Sequence, residues 1–284
     1  MLLVVALMVL GQPEGAEKAA GGGASIGGSA AVTAVPWPHP MISEVLYAVP
    51  TGSAGDANKD GKREVCGDEF IELVNPHDKP IQLFGYTLTD SQDAGKGQVK
   101  FTFPAVELPP GGVAVVFNGM GSAWSGPVGD AKAPPTGKNE LFGGAWVFTM
   151  KNSSGRVALG NTGDHVLLSA PDRTAVHRVY WSEAGPEAEE GPGVEGSPGV
   201  PEALTKPGRA RPLVVDFVPL VSRGSVQRES VLAGGRFVSH MEAEGAAYSP
   251  GVYVVVRGPE KKAAEAQEEK PAERGDKPGG AGAP

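Results

Sequence analysis

The sequence predicts an all-β protein, an antiparallel sandwich or barrel, on three observations. Short apolar runs recur with the two-residue alternation of strands, each run is bounded by Gly, Pro, Asn or Asp, and no stretch carries the period of an amphipathic helix. Many short strands separated by turns build such folds because each strand needs a second sheet to bury its apolar face. At 284 residues the chain can hold a sizeable core, and one β domain with ragged ends is the expected organisation.

Taken in order, "MISEVLYAV" sets Ile42, Glu44 and Leu46 against Ser43, Val45 and Tyr47, and "EFIELVN" sets Phe70, Glu72 and Val74 against Ile71 and Leu73. Both read as half-buried strands. Between them runs "GDANKDGKREVCGDE", a polar loop. "NPHDKP" (Asn75 to Pro80) ends the second strand, because Pro76 cannot donate to a ladder and Asn-Pro favours a turn. "IQLFGYTLTD" follows, with Gly85 marking a bulge or a close backbone approach. Further strands are expected at "QVKFTFP", "GGVAVVFNG", "AWVFTM", "GRVALGN", "DHVLLSA", "TAVHRVYW", "GSVQRES" and "GVYVVVRG". Phe70, Leu73, Leu83, Tyr86, Leu88, Phe101, Val115, Phe117, Leu167 and Val179 are the expected core.

Glycine and proline, 42 and 26 residues, are concentrated in the breaks. Met1 to Leu10 is too short to span a bilayer and suits the apolar region of a signal peptide, expected over 1–11. It lacks basic residues, so a buried strand is the alternative reading. Residues 12–40, rich in Gly, Ala, Ser and Pro, read as a flexible linker. Two long loops interrupt the folded part, at 118–146 and 182–212; the first is the candidate recognition loop, since function on such scaffolds sits on loops held by a rigid frame. The second carries glutamates and reads as solvated. Residues 258–284, with near-balanced charges and little to bury, read as a disordered tail.

The order "MISEVLY", "DEFIELVNPHDKPIQLFGYTLTD", "FPAVELPPGGVAVVF", "NTGDHVLLSAPDRTAVHRVYW", "GSVQRE", "YSPG" resembles the landmarks of the lamin-tail domain family across roughly Met41 to Gly251. The resemblance implies an immunoglobulin-like β-sandwich over 41–257 that acts as a noncatalytic binding or structural module. Bacterial members are similar in being exported, alone or attached to hydrolases and surface proteins. The resemblance therefore implies a secreted or cell-envelope, extracytoplasmic location and an unknown protein or surface component as partner. No heptad run accompanies it, so a filament role is not implied.

Asp56, Asn58 and Asp60 followed by Gly61 match D-x-N-x-D-G, the opening of a calcium loop. Calcium takes six to eight hard oxygens, and alternate residues of a tight turn can direct three of them inward. Glu64 falls at the ninth position. The twelfth is Gly67 rather than glutamate, with Asp68 and Glu69 one and two residues late, so no bidentate ligand is in helix-loop-helix register. Asp56, Asn58, Asp60, Glu64 and Asp68 are the candidate ligands for one structural calcium; the alternative is a polar turn whose Asp and Asn satisfy backbone.

Little else points to chemistry. His39, His77, His165, His177 and His240 show no zinc spacing, although His165 and His177 could face each other across a hairpin turning at Pro171 to Arg173. Cys66 sits among Glu64, Asp68 and Glu69, whose charges disfavour the thiolate. A metal-dependent hydrolase built on the acids of 56–69 is the competing functional class, but no general base is nominated. Gly191, Gly193 and Gly196 form G-x-G-x-x-G without a strand before or a helix after, and Asn152-Ser153-Ser154 has the form of a glycosylation sequon. A formal charge of -8 argues against nucleic acid, whose binding draws on clustered Lys and Arg; only Lys206 to Arg211 approaches a basic run. No apolar run is long enough for a transmembrane segment. Trp124, Trp146 and Trp181 read as edge-covering core residues or as a binding face.

Overall fold

The computed structural model describes residues 33–91, 97–185 and 212–255. The expected leader, most of the linker, the G-x-G-x-x-G run, the basic run and the 258–284 tail lie outside the described residues.

Two sheets and a small ribbon make the fold. The first sheet has six strands, β1 (Met41–Ala48), β2 (Phe70–Val74), β7 (Val113–Phe117), β8 (Trp146–Thr149), β12 (Gly224–Arg228) and β13 (Phe237–Ser239), in the order β13-β12-β1-β2-β7-β8. The second has five, β4 (Thr87–Thr89), β5 (Lys100–Thr102), β9 (Gly163–Ser169), β10 (Ala175–Ser182) and β11 (Val214–Phe217), in the order β11-β10-β9-β4-β5. A ribbon of β3 (Ile81–Gln82) and β6 (Glu107–Leu108) closes one edge of the molecule. Two one-turn helices, α1 (Val65–Asp68) and α2 (His240–Glu244), complete it. The expected all-β sandwich is what forms, with one difference. Pairs β7–β8 and β10–β11 are parallel, which the long connections at 118–145 and 183–213 permit.

The inner faces interlock through aromatic side chains. Phe148, opposite Val116 in the β7–β8 pairing, packs on Phe101 and Phe103 of the facing sheet at 5.6 and 5.4 Å between centroids. At the other end Tyr47 of β1 stacks on Trp181 of β10 at 4.3 Å and 8°. Of the expected core, all but Leu167 are buried.

The strands β1, β2, β7 and β12 are buried along their whole length, not on alternate residues. This corrects the half-buried reading of "MISEVLYAV" and "EFIELVN". The 118–146 excursion folds back over the outer face, where Trp124 and Phe142 each lie 5.4 Å from Phe117. Gly129 docks as an isolated parallel bridge on β8, donating to Val147 and accepting from Thr149. The segment after α2 covers the rest, with Tyr248 edge-on to Phe70 at 6.4 Å. The outer face of the first sheet is therefore an interior one, covered by a third layer of loops.

Smaller differences have local causes. "GRVALGN" makes one bridge, Gly97 to Val157, rather than a strand, because Asn118 and Asn152 side chains take the Val157 carbonyl. Residues 251–255 of "GVYVVVRG" form no ladder; Gly251 and Val252 give their amides to Glu72 and Ser249 instead. Gly85 sits at φ +79 in a turn closed by Tyr86 N to Leu83 O. His165 and His177 do not face each other: the register pairs Tyr180 with His165 and His177 with Leu168, although the turn falls at Pro171 to Arg173 as expected. Residues from Thr33 onward already belong to the folded unit, through a Thr33–Leu232 bridge and the buried Val35.

Candidate functional site

The loop of Asp56 to Glu69 leaves a short 3-10 turn (Gly52–Gly55) and enters β2 through α1. Its side-chain oxygens converge on its own amides. Asp56 Oδ1 and Asn58 Oδ1 both accept from Asp60 N at 3.0 Å, Asp56 Oδ2 accepts from Gly61 N at 2.9 Å, and Asp60 Oδ1 accepts from Lys62 N at 2.8 Å. Gly61 makes the bend at φ +87, a backbone region in which a side chain is strained. These are Asx turns nested in one another, the form that D-x-N-x-D-G takes when it wraps.

Asp68 lies beneath. Its two oxygens accept from Asn58 N at 3.0 Å and Glu64 N at 2.7 Å, so one fully buried carboxyl ties both ends of the loop. Burial pushes it up to about 6 against the pull of those amides. Replacing Asp68 by alanine orphans both amides, and a cost of roughly 1–3 kcal/mol in urea unfolding is expected. Glu64 turns away to cap α1, accepting from Cys66 N at 3.4 Å. The five candidate ligands therefore divide: Asp56 and Asn58 meet at the Asp60 amide, the Asp60 carboxylate turns to Lys62 N and Ala123 N, Asp68 is joined to them through Asn58 N, and Glu64 serves its own helix. Among the described residues no three His, Cys, Asp or Glu side chains form a group able to hold a metal ion. A cation here would have the Asp56 and Asp60 carboxylates and the Asn58 amide oxygen within reach, hard oxygens of the kind calcium takes.

The loop is bonded to the excursion. Ala123 N donates to Asp60 Oδ2 at 3.0 Å, Asn58 Nδ2 donates to Ser122 Oγ at 2.8 Å, and Lys59 reaches the Leu141 carbonyl with its ammonium 4.8 Å from the Phe142 ring. Exposed apolar side chains cluster here, at Leu141 and at Val252, whose Cγ2 approaches Gly143. Trp124, Trp146 and Trp181 serve packing: the first two lean on the core and the third is buried. Trp37 is the exposed one among the four.

Among the described residues nothing in the geometry supports a hydrolase. Glu69 is buried and pushed up to about 8 by burial, yet it accepts from Asn118 Nδ2 and Leu159 N and borders a cavity of about 10 Å³. Such a space holds about one water and no substrate. Burial, then the charges of Glu69 and Glu64, push the Cys66 thiol up to about 11, away from thiolate chemistry. Asn152 Nδ2 is spent on Asn118 Oδ1 and the carbonyls of Ser154 and Val157, so the sequon reads as a turn.

One constellation escaped sequence reasoning because its members lie far apart in the chain. His240 Nε2 meets Ser249 Oγ at 2.8 Å, and Ser249 Oγ meets Glu44 Oε2 at 3.2 Å. A serine beside a histidine resembles a nucleophile and its base. Here, however, the carboxyl faces the serine rather than the imidazole, where it opposes negative charge on Oγ.

A sandwich of two sheets locked by aromatic side chains is an immunoglobulin-like fold. A family model for the lamin tail domain matches residues 37–183, more than half of the chain, and the chain belongs to that family. No curated protein matches it. Among the described residues no helix is long and apolar enough to cross a membrane.

Proposed function

We propose that this chain is a noncatalytic binding or structural module of an exported protein, displayed outside the cytoplasm, with one calcium ion supporting the 56–60 loop. The observation that carries the reading is the covered sheet. Its faces are sealed, and its buried Glu44, Glu72 and Arg228 are bonded within the fold, so recognition falls to the surface where the 56–60 loop, the excursion and residues 251–254 meet. Exposed Leu141, Val252 and Val254 supply the apolar contact there, and a protein or surface component is the partner class.

Calcium supplements a loop that its own Asx turns already hold. At ten times the dissociation constant the ion adds about 1.4 kcal/mol. The full chain is expected to melt a few degrees higher in millimolar calcium than in chelator, whereas an Asp56→Ala, Asp60→Ala variant shows no difference. Equal melting of the parent in both conditions removes the ion from the reading. Export is tested separately by fusing residues 1–40 to a reporter that is active only outside the cytoplasm; a reporter that stays inactive contradicts it.

A further inference from the structure

We propose that Glu44 and Glu72 form a proton-loaded latch that docks the C-terminal segment, residues 239–253, on the first sheet and releases it as the medium becomes alkaline. The geometry is specific. Glu44 and Glu72 are Cα partners across β1 and β2, both fully buried on the outer face. Each holds the segment through its backbone: Glu44 Oε1 accepts from Ser249 N at 3.0 Å, and Glu72 Oε2 accepts from Gly251 N at 2.8 Å. Gly251, at φ +91, passes so close to Phe142 that an added Cβ would stand 2.1 Å from its carbonyl oxygen. The segment is thus pinned between the two carboxyls and the excursion.

Two ionised carboxylates cannot share this buried ladder position without a compensating charge. The titratable and charged groups around the pair are His240 from α2, Tyr253 from the segment itself, and Arg228 of β12 beyond Tyr253. Arg228 is already paired with Asp216, and burial keeps the Tyr253 phenol protonated. Ser43, Ser225 and Ser249 supply hydroxyls but no charge.

Hydrogen-bond logic fixes the protons. The Ala246 carbonyl accepts from His240 Nδ1 at 2.9 Å, so Nδ1 carries hydrogen. His240 Nε2, Ser249 Oγ and Glu44 Oε2 then form a line with two neutral arrangements. In one, imidazolium donates to Ser249, which donates to an ionised Glu44. In the other, protonated Glu44 donates to Ser249, which donates to neutral Nε2. Both hold the same number of protons. Glu72 must carry one more for the cluster to be neutral, and its protonated Oε1 can donate to Ser43 Oγ, 2.7 Å away, while Oε2 still accepts from Gly251.

Burial raises both carboxyls, and the Glu44 charge raises Glu72 further, whereas His240 pulls Glu44 part of the way back. The sign follows: the docked state binds a proton that the undocked segment, with water-exposed carboxyls, gives up. Docking therefore weakens as pH rises from the ordinary carboxylate range through the raised value.

The test is residue-resolved hydrogen exchange on the full chain as a function of pH, corrected for intrinsic chemistry. Protection of the Ser249 and Gly251 amides is expected to fall about tenfold per pH unit within that window, the slope for one linked proton. Glu72→Gln, which mimics the protonated acid and keeps both hydrogen bonds, is expected to flatten the slope and retain protection at alkaline pH; Glu44→Gln provides the second variant. Constant protection in the parent overturns the latch, and so does a Gln variant that keeps the parent's slope.

Discussion

Replacing Trp181 by alanine is expected to cost about 3–5 kcal/mol in urea unfolding, among the largest effects of any single substitution here. The indole is 1% exposed and stacks on Tyr47, and its Nε1–H donates to the Gly160 carbonyl at 2.6 Å. Tyr47 in turn donates to the Pro219 carbonyl and accepts from Val221 N, both at 2.9 Å. Removing the indole opens a cavity between the sheets, orphans a buried carbonyl and unseats the strand connection that leads to β12. Trp181→Phe keeps most of the stacking and loses the donor, so a cost of roughly 1–3 kcal/mol is expected. Similar values for the two variants contradict a packing role for the ring.

Asp216→Asn is expected to cost about 3 kcal/mol, the lower end of the range for breaking a buried ion pair, since the Asp216 side chain is 17% exposed. Asp216 holds the buried Arg228 guanidinium and accepts from His177 Nε2 at 2.8 Å. His177 Nδ1 accepts from Ile42 N at 3.0 Å, which makes the ring neutral and places it as a bridge from β10 to β1. Asparagine leaves Arg228 buried without its anion. Arg228→Met in the same chain is expected to recover much of the loss, because the stranded charge then disappears. The site also sets an acid limit. Burial holds His177 below the ordinary histidine range, so its contribution is present above that range and lost as pH falls through it. A His177→Gln variant, which keeps both hydrogen bonds but cannot titrate, is expected to lose less stability than the parent on acidification through the histidine range; identical pH dependence in the two contradicts a neutral bridge.

How much of this was legible in the sequence depends on where the cause lay. Alternation and turn residues placed β1, β2, β7, β9, β10 and β12, because each buries a stripe against the facing sheet and pays little attention to what lies outside. The Asx turns of D-x-N-x-D-G are local chemistry, so the way its Asp and Asn wrap onto their own amides follows from the pattern itself. What failed was anything that depends on chain brought from afar. Glu44 and Glu72 lie on strands that read as half-buried, yet Ser249 and Gly251, respectively 205 and 179 residues further along the chain, return to cover both carboxyls. Residues 251–255 are as β-branched as any strand, but the carboxyls and Ser249 claim the amides that a ladder would need. That the excursion, read as a candidate recognition loop, also closes over Phe117 was not legible, because Trp124 and Phe142 gave no periodic sign of it.

The covered sheet is the claim on which the functional reading stands, and hydrogen exchange across the full chain at slightly acidic pH tests it most directly. Gly129 and Thr149, which bond the excursion to β8, and Ser249 and Gly251 are predicted to exchange within about tenfold of the β2–β7 ladder amides, as parts of one cooperative unit. Exchange of these amides at exposed-loop rates while the ladder stays protected would contradict it, and would turn the outer face of the first sheet back into a surface open to solvent.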